Sequence, residues 1–476
     1  MSIRLPYAWA RSHGALIEQG ADSLALVVSP RTPGWALTEL RRVHGDLPMR
    51  TVSEAEIDTL LAVHYAHTDD AAAVVDAAAN EIDLDRLMQD IPEVEDLLEM
   101  HDDAPVIRMI NALFTQAVRD GASDIHLEAF ETHSVVRYRV DGTLRTIVNP
   151  RRALHNALVS RIKIMASLDI AERRLPQDGR IALRVGGRPI DVRVSTLPTG
   201  HGERAVLRLL EKDTGRLQLE RLGMAPDVLT QLDQLIRQPN GIVLVTGPTG
   251  SGKSTTLYAA LSRLDTAGTN ILTVEDPVEY DLPGIGQTQV NPRIDLSFAK
   301  ALRALLRQDP DVIMIGEIRD LETAQIAVQA ALTGHLVLAT LHTNDAVSSV
   351  TRLVDMGIEP YLLASTLQGV LAQRLFRKLC SQCRLSLPDG RAQLNPQGCA
   401  ACSHTGYSGR SGIHELLVLD DTLRSMIHDG DGEQALRSAA RRKGMRSLYE
   451  DGARWIESGV TTDTEIARVS RDVDEG

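Results

Sequence analysis

The chain has 476 residues, more than the roughly 250–300 that one hydrophobic core serves, so two or three domains are expected. Its 43% hydrophobic and 24% charged residues are the balance of a folded globular protein and exclude wholesale disorder. Lys and Arg number 51 against 64 Asp and Glu, and the resulting charge of −13 argues against a general nucleic-acid binder.

Aromatic residues make up only 3%, and the large apolar side chains are mostly Leu, Ile and Val, which suits helices on parallel sheets. No apolar run approaches the roughly 18–20 residues needed to span a bilayer. The opening MSIRLPYAWARSHG lacks the apolar stretch of a signal peptide. The expectation is a cytoplasmic protein that serves a membrane, if at all, through partners.

Residues 1–66 read as a small α/β domain, with a strand at Leu24–Val28 and a helix opened by the capping pair Ser53 and Glu56. Ile57, Leu60, Leu61 and His64 follow at helical spacing. Residues 67–104 read as an acidic linker carrying one helix with the stripe Ile82, Leu84 and Leu87. Between Asp69 and Asp103 thirteen acidic residues face one Arg86, so most of the net charge sits here. A solvated helix face and a binding role explain that run equally well.

Residues 105–222 read as an α+β domain. It has a helix at Val106–Arg119 and alternating strands at Ser134–Val140, Ile181–Val185 and Asp191–Val194, with turns at Asp141-Gly142 and Gly186-Gly187. A helical linker follows, with Val228, Leu229, Leu232, Leu235 and Ile236 on one face, stopped by Pro239-Asn240-Gly241. From 223 to 476 the pattern becomes short apolar runs (GIVLVT, NILTVE, DVIMIGE, LVLATL) alternating with helices. Such runs are parallel strands buried on both faces, so this domain is a doubly wound α/β domain closed by C-terminal helices.

The nucleotide signal stands at the start of that domain. Gly247, Pro248, Thr249, Gly250, Ser251, Gly252, Lys253, Ser254 and Thr255 fit G-x-x-x-x-G-K-[ST] between a strand and a helix. The glycines let backbone N–H groups face phosphate, Lys253 reaches the β- and γ-phosphates, and the Ser254 hydroxyl ligates Mg²⁺. ATP or GTP with Mg²⁺ is the expected ligand.

Two acidic stretches complete the chemistry. Asp309-Pro-Asp311 leads a buried strand ending at Glu317, expected beside the P-loop strand, where Mg²⁺ and the attacking water must lie. Glu275, Asp276 and Glu279 end the strand before it. His335 and His342 bracket a further strand, and only His342 falls at its carboxyl end. His335 is as easily a structural residue as a functional one. Arg303 and Arg307, one turn apart before the Glu317 strand, either line the site or solubilise their helix.

All four cysteines fall within 23 residues, as Cys380-x₂-Cys383-x₁₅-Cys399-x₂-Cys402. Four thiolates in two facing pairs suit a closed, structural Zn²⁺ site, with an iron–sulfur cluster as the alternative. His404 reads as a surface residue. The zinc-binding insertion spans 378–406.

GPTGSGKST, TVEDPVEY, LRQDPDVIMIGEIRD and TGHLVLATLHTND, in this order, resemble the type II/type IV secretion ATPase superfamily. SDIHLE, RYRVDG, RRLPQDGR and DVRVSTLPTGHGER resemble its N-terminal ATPase-associated domain, and Leu5–Gly14 resembles the opening of type II secretion E-type ATPases. The resemblance implies a RecA-like P-loop domain behind a PAS-like α+β domain, acting as a cytoplasmic homo-hexameric ATPase at the inner membrane. Glu317 is then the glutamate organising Mg²⁺ and water, with Glu275 and Glu279 in support, and His342 faces the γ-phosphate. Arg193 and Arg208 match arginines that reach nucleotide from the preceding domain.

The implied work is ATP hydrolysis for pseudopilus assembly in type II protein secretion. The implied partners are the cytoplasmic domain of an L-type platform protein, met by residues 1–104, and an F-type platform protein. The cysteine element resembles that of assembly rather than retraction ATPases. A type IV pilus-assembly ATPase is the near alternative, and a DNA-uptake or nucleic-acid motor a remoter one.

Overall fold

The computed structural model describes residues 105–185, 188–211 and 217–470, together with residues 5, 9–10, 13–19, 24–45, 47–54, 56–57 and 60–61. The stripe Ile82, Leu84 and Leu87, His64 and the Gly186-Gly187 turn lie outside the described residues. Two units are distinguished, Met1–Lys212 and Asp213–Gly476. Among the described residues no helix is long and apolar enough to cross a membrane.

In the first unit, strands β1 (Ala15–Gln19), β2 (Leu24–Val28) and β3 (Met49–Thr51) form a three-stranded sheet. β1 and β2 are antiparallel, and the helix Gly34–His44 makes the crossover to β3, which runs parallel to β2. The Glu56 N–H donates to Ser53 Oγ at 3.2 Å, one half of the expected capping pair.

A second sheet of the same unit has six strands: β4 (Ala122–Ala129), β5 (Ser134–Val140), β6 (Thr143–Val148), β7 (Gln177–Val185), β8 (Arg188–Thr199) and β9 (Gly202–Glu211). They are ordered β6-β5-β4-β9-β8-β7, and every neighbouring pair is antiparallel. One face packs on the helices Pro105–Arg119 and Arg152–Met165 through Ile110, Phe114, Leu158 and Ile162. Three of these strands were not anticipated. In β4 the polar residues Asp124, His126 and Glu128 are buried along with the apolar ones, because arginines of neighbouring strands lie against them.

The second unit is built on a seven-stranded sheet. Its strands are β10 (Gly241–Thr246), β11 (Ile271–Glu275), β12 (Gly286–Gln289), β13 (Val312–Ile315), β14 (Leu336–Leu341), β15 (Leu367–Leu379) and, after a small hairpin of β16 (Leu385–Ser386) and β17 (Ala392–Gln393), β18 (Tyr407–Val418). The order is β12-β11-β13-β14-β10-β15-β18, parallel throughout except for antiparallel β18. β10, β13 and β14 are buried along their whole length, as expected of strands covered on both faces.

Two expectations are corrected here. The Glu317 strand β13 does not adjoin the P-loop strand: β14, which His342 directly follows, lies between them. The stretch read as a helical linker is a helix, Pro226–Leu235, that packs Val228, Leu232 and Leu235 into the core of the second unit.

Candidate nucleotide site and cysteine cluster

β10 runs directly into the glycine loop and the helix Lys253–Leu261. Gly247, Gly250 and Gly252 have φ of +145°, +79° and +91°, a region that side chains strongly disfavour. A Cβ on Gly247 would also lie 2.5 Å from the Gln373 carbonyl oxygen. Lys253 is 9% exposed, and its ammonium donates to the carbonyls of Gly247 at 2.7 Å and Pro248 at 3.1 Å. Burial pulls its pKa down to about 8, against the opposing charge of Glu317 and with a further push from Arg374. Ser254 follows at the exposed start of the helix.

A residue that the sequence motifs do not reveal holds this loop. Gln373 on β15 is buried and donates from Nε2 to the Ser251 carbonyl at 2.7 Å, while Thr256 Oγ1 donates to its Oε1 at 2.8 Å. One amide thus joins the loop to the first turn of its helix. No spacing signal marks Gln373, because it lies more than a hundred residues downstream and arrives by strand pairing.

Glu317, just beyond β13, meets His342, just beyond β14: His342 Nε2 lies 3.4 Å from Glu317 Oε2, and Arg319 pairs with the other carboxylate oxygen. The site therefore brings together Lys253, Glu317 and His342, the first two close enough for the carboxylate to act on the lysine. The loop after His342 is fixed from three sides. Thr246 Oγ1 accepts from the Thr343 N–H at 2.9 Å, Arg374 donates to the Asn344 carbonyl at 3.0 Å, and Glu415 accepts from the Ala346 N–H at 2.8 Å. His335 sits at the far end of β14, its Nδ1 donating to the Ala330 carbonyl at 2.9 Å, which is a structural placement.

Glu275 is 3% exposed, and three donors meet its carboxylate: Tyr258 Oη, Thr273 Oγ1 at 2.5 Å and Gln287 Nε2 at 3.0 Å. Burial and the neighbouring Glu275 carboxylate push the Tyr258 phenol upward, so Tyr258 stays a donor. The same phenol oxygen accepts from the Glu279 N–H at 3.0 Å, tying the acidic loop to the P-loop helix. Asp311 accepts from the Asn270 N–H at 2.7 Å and braces a turn. Arg303 pairs with Glu322, and Arg307 donates to the Arg303 carbonyl.

Arg193 and Arg208 belong to the first unit and stand opposite each other on β8 and β9. Arg208 Nε donates to Asp124 Oδ1 at 2.9 Å.

The cysteines converge between β15 and β18. All four sulfurs lie within 4.8 Å of one another, with 3.8 Å between Cys380 and Cys399, Cys383 and Cys402, and Cys399 and Cys402. A tetrahedron of thiolates at the Zn–S distance of about 2.3 Å has edges of about 3.8 Å, so the set fits zinc. Burial pushes the Cys402 thiol up, but N–H groups of Cys399 and Gly406 at 3.2 Å and the neighbouring thiols outweigh it and bring it to about 6. His404 is exposed, as expected.

A parallel sheet whose P-loop strand feeds a glycine loop with a buried lysine, flanked by a carboxylate and a histidine at neighbouring strand ends, defines a P-loop ATPase. Models of two families match the chain: the type II/IV secretion system protein family over residues 99–468, and an N-terminal domain of GSPII protein E over residues 4–65. The chain belongs to the type II/IV secretion system protein family.

It is 71% identical to type II secretion system protein HxcR of Pseudomonas aeruginosa, over 98% of this chain and 99% of that one. It is 53% identical to type II secretion system protein E of Dickeya dadantii, over 98% and 97%. The crystal structure of the pilus retraction motor PilT with bound ADP matches with a TM-score of 0.56 and 29% identity, covering 77% of this chain and 98% of that one.

Proposed function

We propose that this ATPase hydrolyses ATP to drive pseudopilus assembly in type II protein secretion. The reading rests on the near full-length likeness to type II secretion proteins, which extends through the N-terminal domain. The proposed domains are a docking domain over 1–66, a linker over 67–104, an ATPase-associated domain over 105–222 and the ATPase domain over 223–476.

Residues Gly247–Thr255 cradle the phosphates, with backbone N–H groups and the helix end supplying positive potential. Lys253 then turns its ammonium from the Gly247 and Pro248 carbonyls to phosphate oxygens. Ser254 and Glu317 would hold Mg²⁺, which neutralises charge on the transferring phosphoryl group. Glu317 accepts the proton side of the attacking water, and His342 beside it donates toward the γ-phosphate. Glu275 and Glu279 shape the acidic loop. Arg193 and Arg208 add positive charge to the transferring oxygens when the first unit closes, so that hydrolysis is coupled to domain motion. The four cysteines hold a structural zinc.

The working assembly is a homo-hexamer at the cytoplasmic face of the inner membrane. It is held there through residues 1–104 on an L-type platform protein and meets an F-type platform protein. Hydrolysis by hexamers forced by fusion to a ring-forming protein is expected to exceed that of the dilute chain several-fold. A dilute monomer turning over equally fast overturns this reading. The 29% likeness to a pilus motor favours one second reading, a type IV pilus-assembly ATPase. Capture with the tagged full chain from solubilised membranes of the source cells separates them. A secretion platform protein supports the first, and a pilus platform protein the second.

A further inference from the structure

The solvent-facing side of the six-stranded sheet carries a row of charge. Arg180 on β7 is registered against Arg193 on β8, Arg193 against Arg208 on β9, Arg208 against Asp124 on β4, and Asp124 against Arg139 on β5. Three adjacent arginines concentrate positive charge on this face, which suits contact with an anion.

Asp124 is the acid of this row, and the fold takes special means to place it. Ala122 pairs with Val140 and Asp124 with Arg139, so two steps on β4 meet one on β5. The extra residue is Ser123, a β-bulge. Without it Ala122 and Asp124 would share a face. With it Ala122 joins the hydrophobic core, while Asp124 turns to the arginines. Bulges re-aim side chains beside functional sites.

Asp124 is 5% exposed. Ser123 Oγ donates to its Oδ2 at 2.8 Å, and Arg139 lies at 3.7 Å. Its other oxygen takes Arg208 Nε at 2.9 Å, while the Arg208 side chain is 56% exposed. A carboxylate that grips only Nε fixes the plane of the guanidinium and leaves its terminal nitrogens directed away, the fork that binds a phosphate. Farther along the same face, by contrast, Glu128 is closed between Arg137 and Arg204 and offers no such fork.

We propose that Asp124 is the positioning residue for Arg208, orienting its guanidinium toward the phosphates of the nucleotide. This rests on the reading that Arg208 acts on the nucleotide. Asp124 touches no substrate and works through Arg208 alone.

The test is a double-mutant cycle on ATP hydrolysis by the full-length chain with Mg²⁺. Asp124→Asn is expected to lower kcat about tenfold with KM for ATP within about twofold, because the fork is lost from the transition state more than from the ground state. In an Arg208→Gln background the same change is expected to cost nothing further. Asp124→Glu restores the charge but not the Nε geometry, and is expected to melt like the parent while staying slow. Wild-type kcat in Asp124→Asn or full rescue by Asp124→Glu overturns the proposal, as does an equal loss in both backgrounds. Wild-type turnover by Arg208→Gln overturns the underlying reading of Arg208, and the proposal with it.

Discussion

His342 Nε2 lies 3.4 Å from Glu317 Oε2, although the two residues end different strands and stand 25 positions apart. β14 places His342 between the Glu317 strand and the P-loop strand, and on the reading proposed above the histidine serves the phosphate end of a bound nucleotide as well as the carboxylate. Glu317→Gln keeps the shape and an acceptor but removes the charge. It is expected to bind ATP within a few-fold of the parent and to hydrolyse it about 10²–10³ times more slowly, read by nucleotide titration and single-turnover assay. His342→Ala should lose rate in the same assay with little change in binding.

Lys253 gives a pH prediction. With its pKa pulled to about 8 by burial, the ammonium begins to lose its proton at mildly alkaline pH. Phosphate binds the charged form, so ATP affinity should weaken several-fold from pH 7.5 to 9 as that form disappears. Lys253→Ala should bind weakly, hydrolyse nothing measurable and show a flat profile across this window. Fluorescent-nucleotide titration at each pH reads both.

The Gln373 amide braces the P-loop through Ser251 and Thr256. Gln373→Ala strands a buried carbonyl and a buried hydroxyl, a cost of about 2–4 kcal/mol that should appear as a lower urea midpoint. Nucleotide affinity should fall with it, because the loop loses the contact that shapes it. A variant with parent-like midpoint and affinity would contradict the bracing role.

Glu415, 1% exposed on β18, is pushed up to about 7 by burial, with the Ala346 N–H and Arg437 acting against the shift. An unfolded glutamate loses its proton near 4.5, so between about 4.5 and 7 the folded chain holds a proton the unfolded chain has released. Stability contributed by this group therefore falls as pH rises through that window and levels off above it. Glu415→Gln should remove this component, narrowing the difference between urea midpoints at pH 5 and pH 7.5 and stabilising the chain at the higher pH by a few kcal/mol at most.

The cysteine cluster predicts one zinc per chain, released by a mercurial and counted with a colorimetric chelator. Cys399→Ser should lower soluble yield through the lost metal, whereas any protein that folds should still bind nucleotide.

What the sequence determined by itself was local chemistry. Gly247–Thr255 needs consecutive residues with special backbone angles next to a strand and a helix. Cys380, Cys383, Cys399 and Cys402 need only a short hairpin to converge. The apolar runs at 241–246, 312–315 and 336–341 declare parallel strands because burial on both faces leaves few polar positions and no charged ones. All of these are legible because the physical requirement and the residues that meet it are neighbours in the chain. Strand order is different. That β14 rather than β13 adjoins β10 depends on crossovers the chain makes over some hundred residues, and no local pattern encodes it.

The same holds for Gln373 under the P-loop, Tyr258 between Glu275 and Glu279, and Asp124 beneath Arg208. Each is one polar residue in an ordinary-looking strand or helix, given its role by a partner brought from 17 to over 100 positions away. Only the tertiary structure decides such pairings, because a buried hydrogen bond or ion pair is specified by both partners at once, and a sequence shows them one at a time.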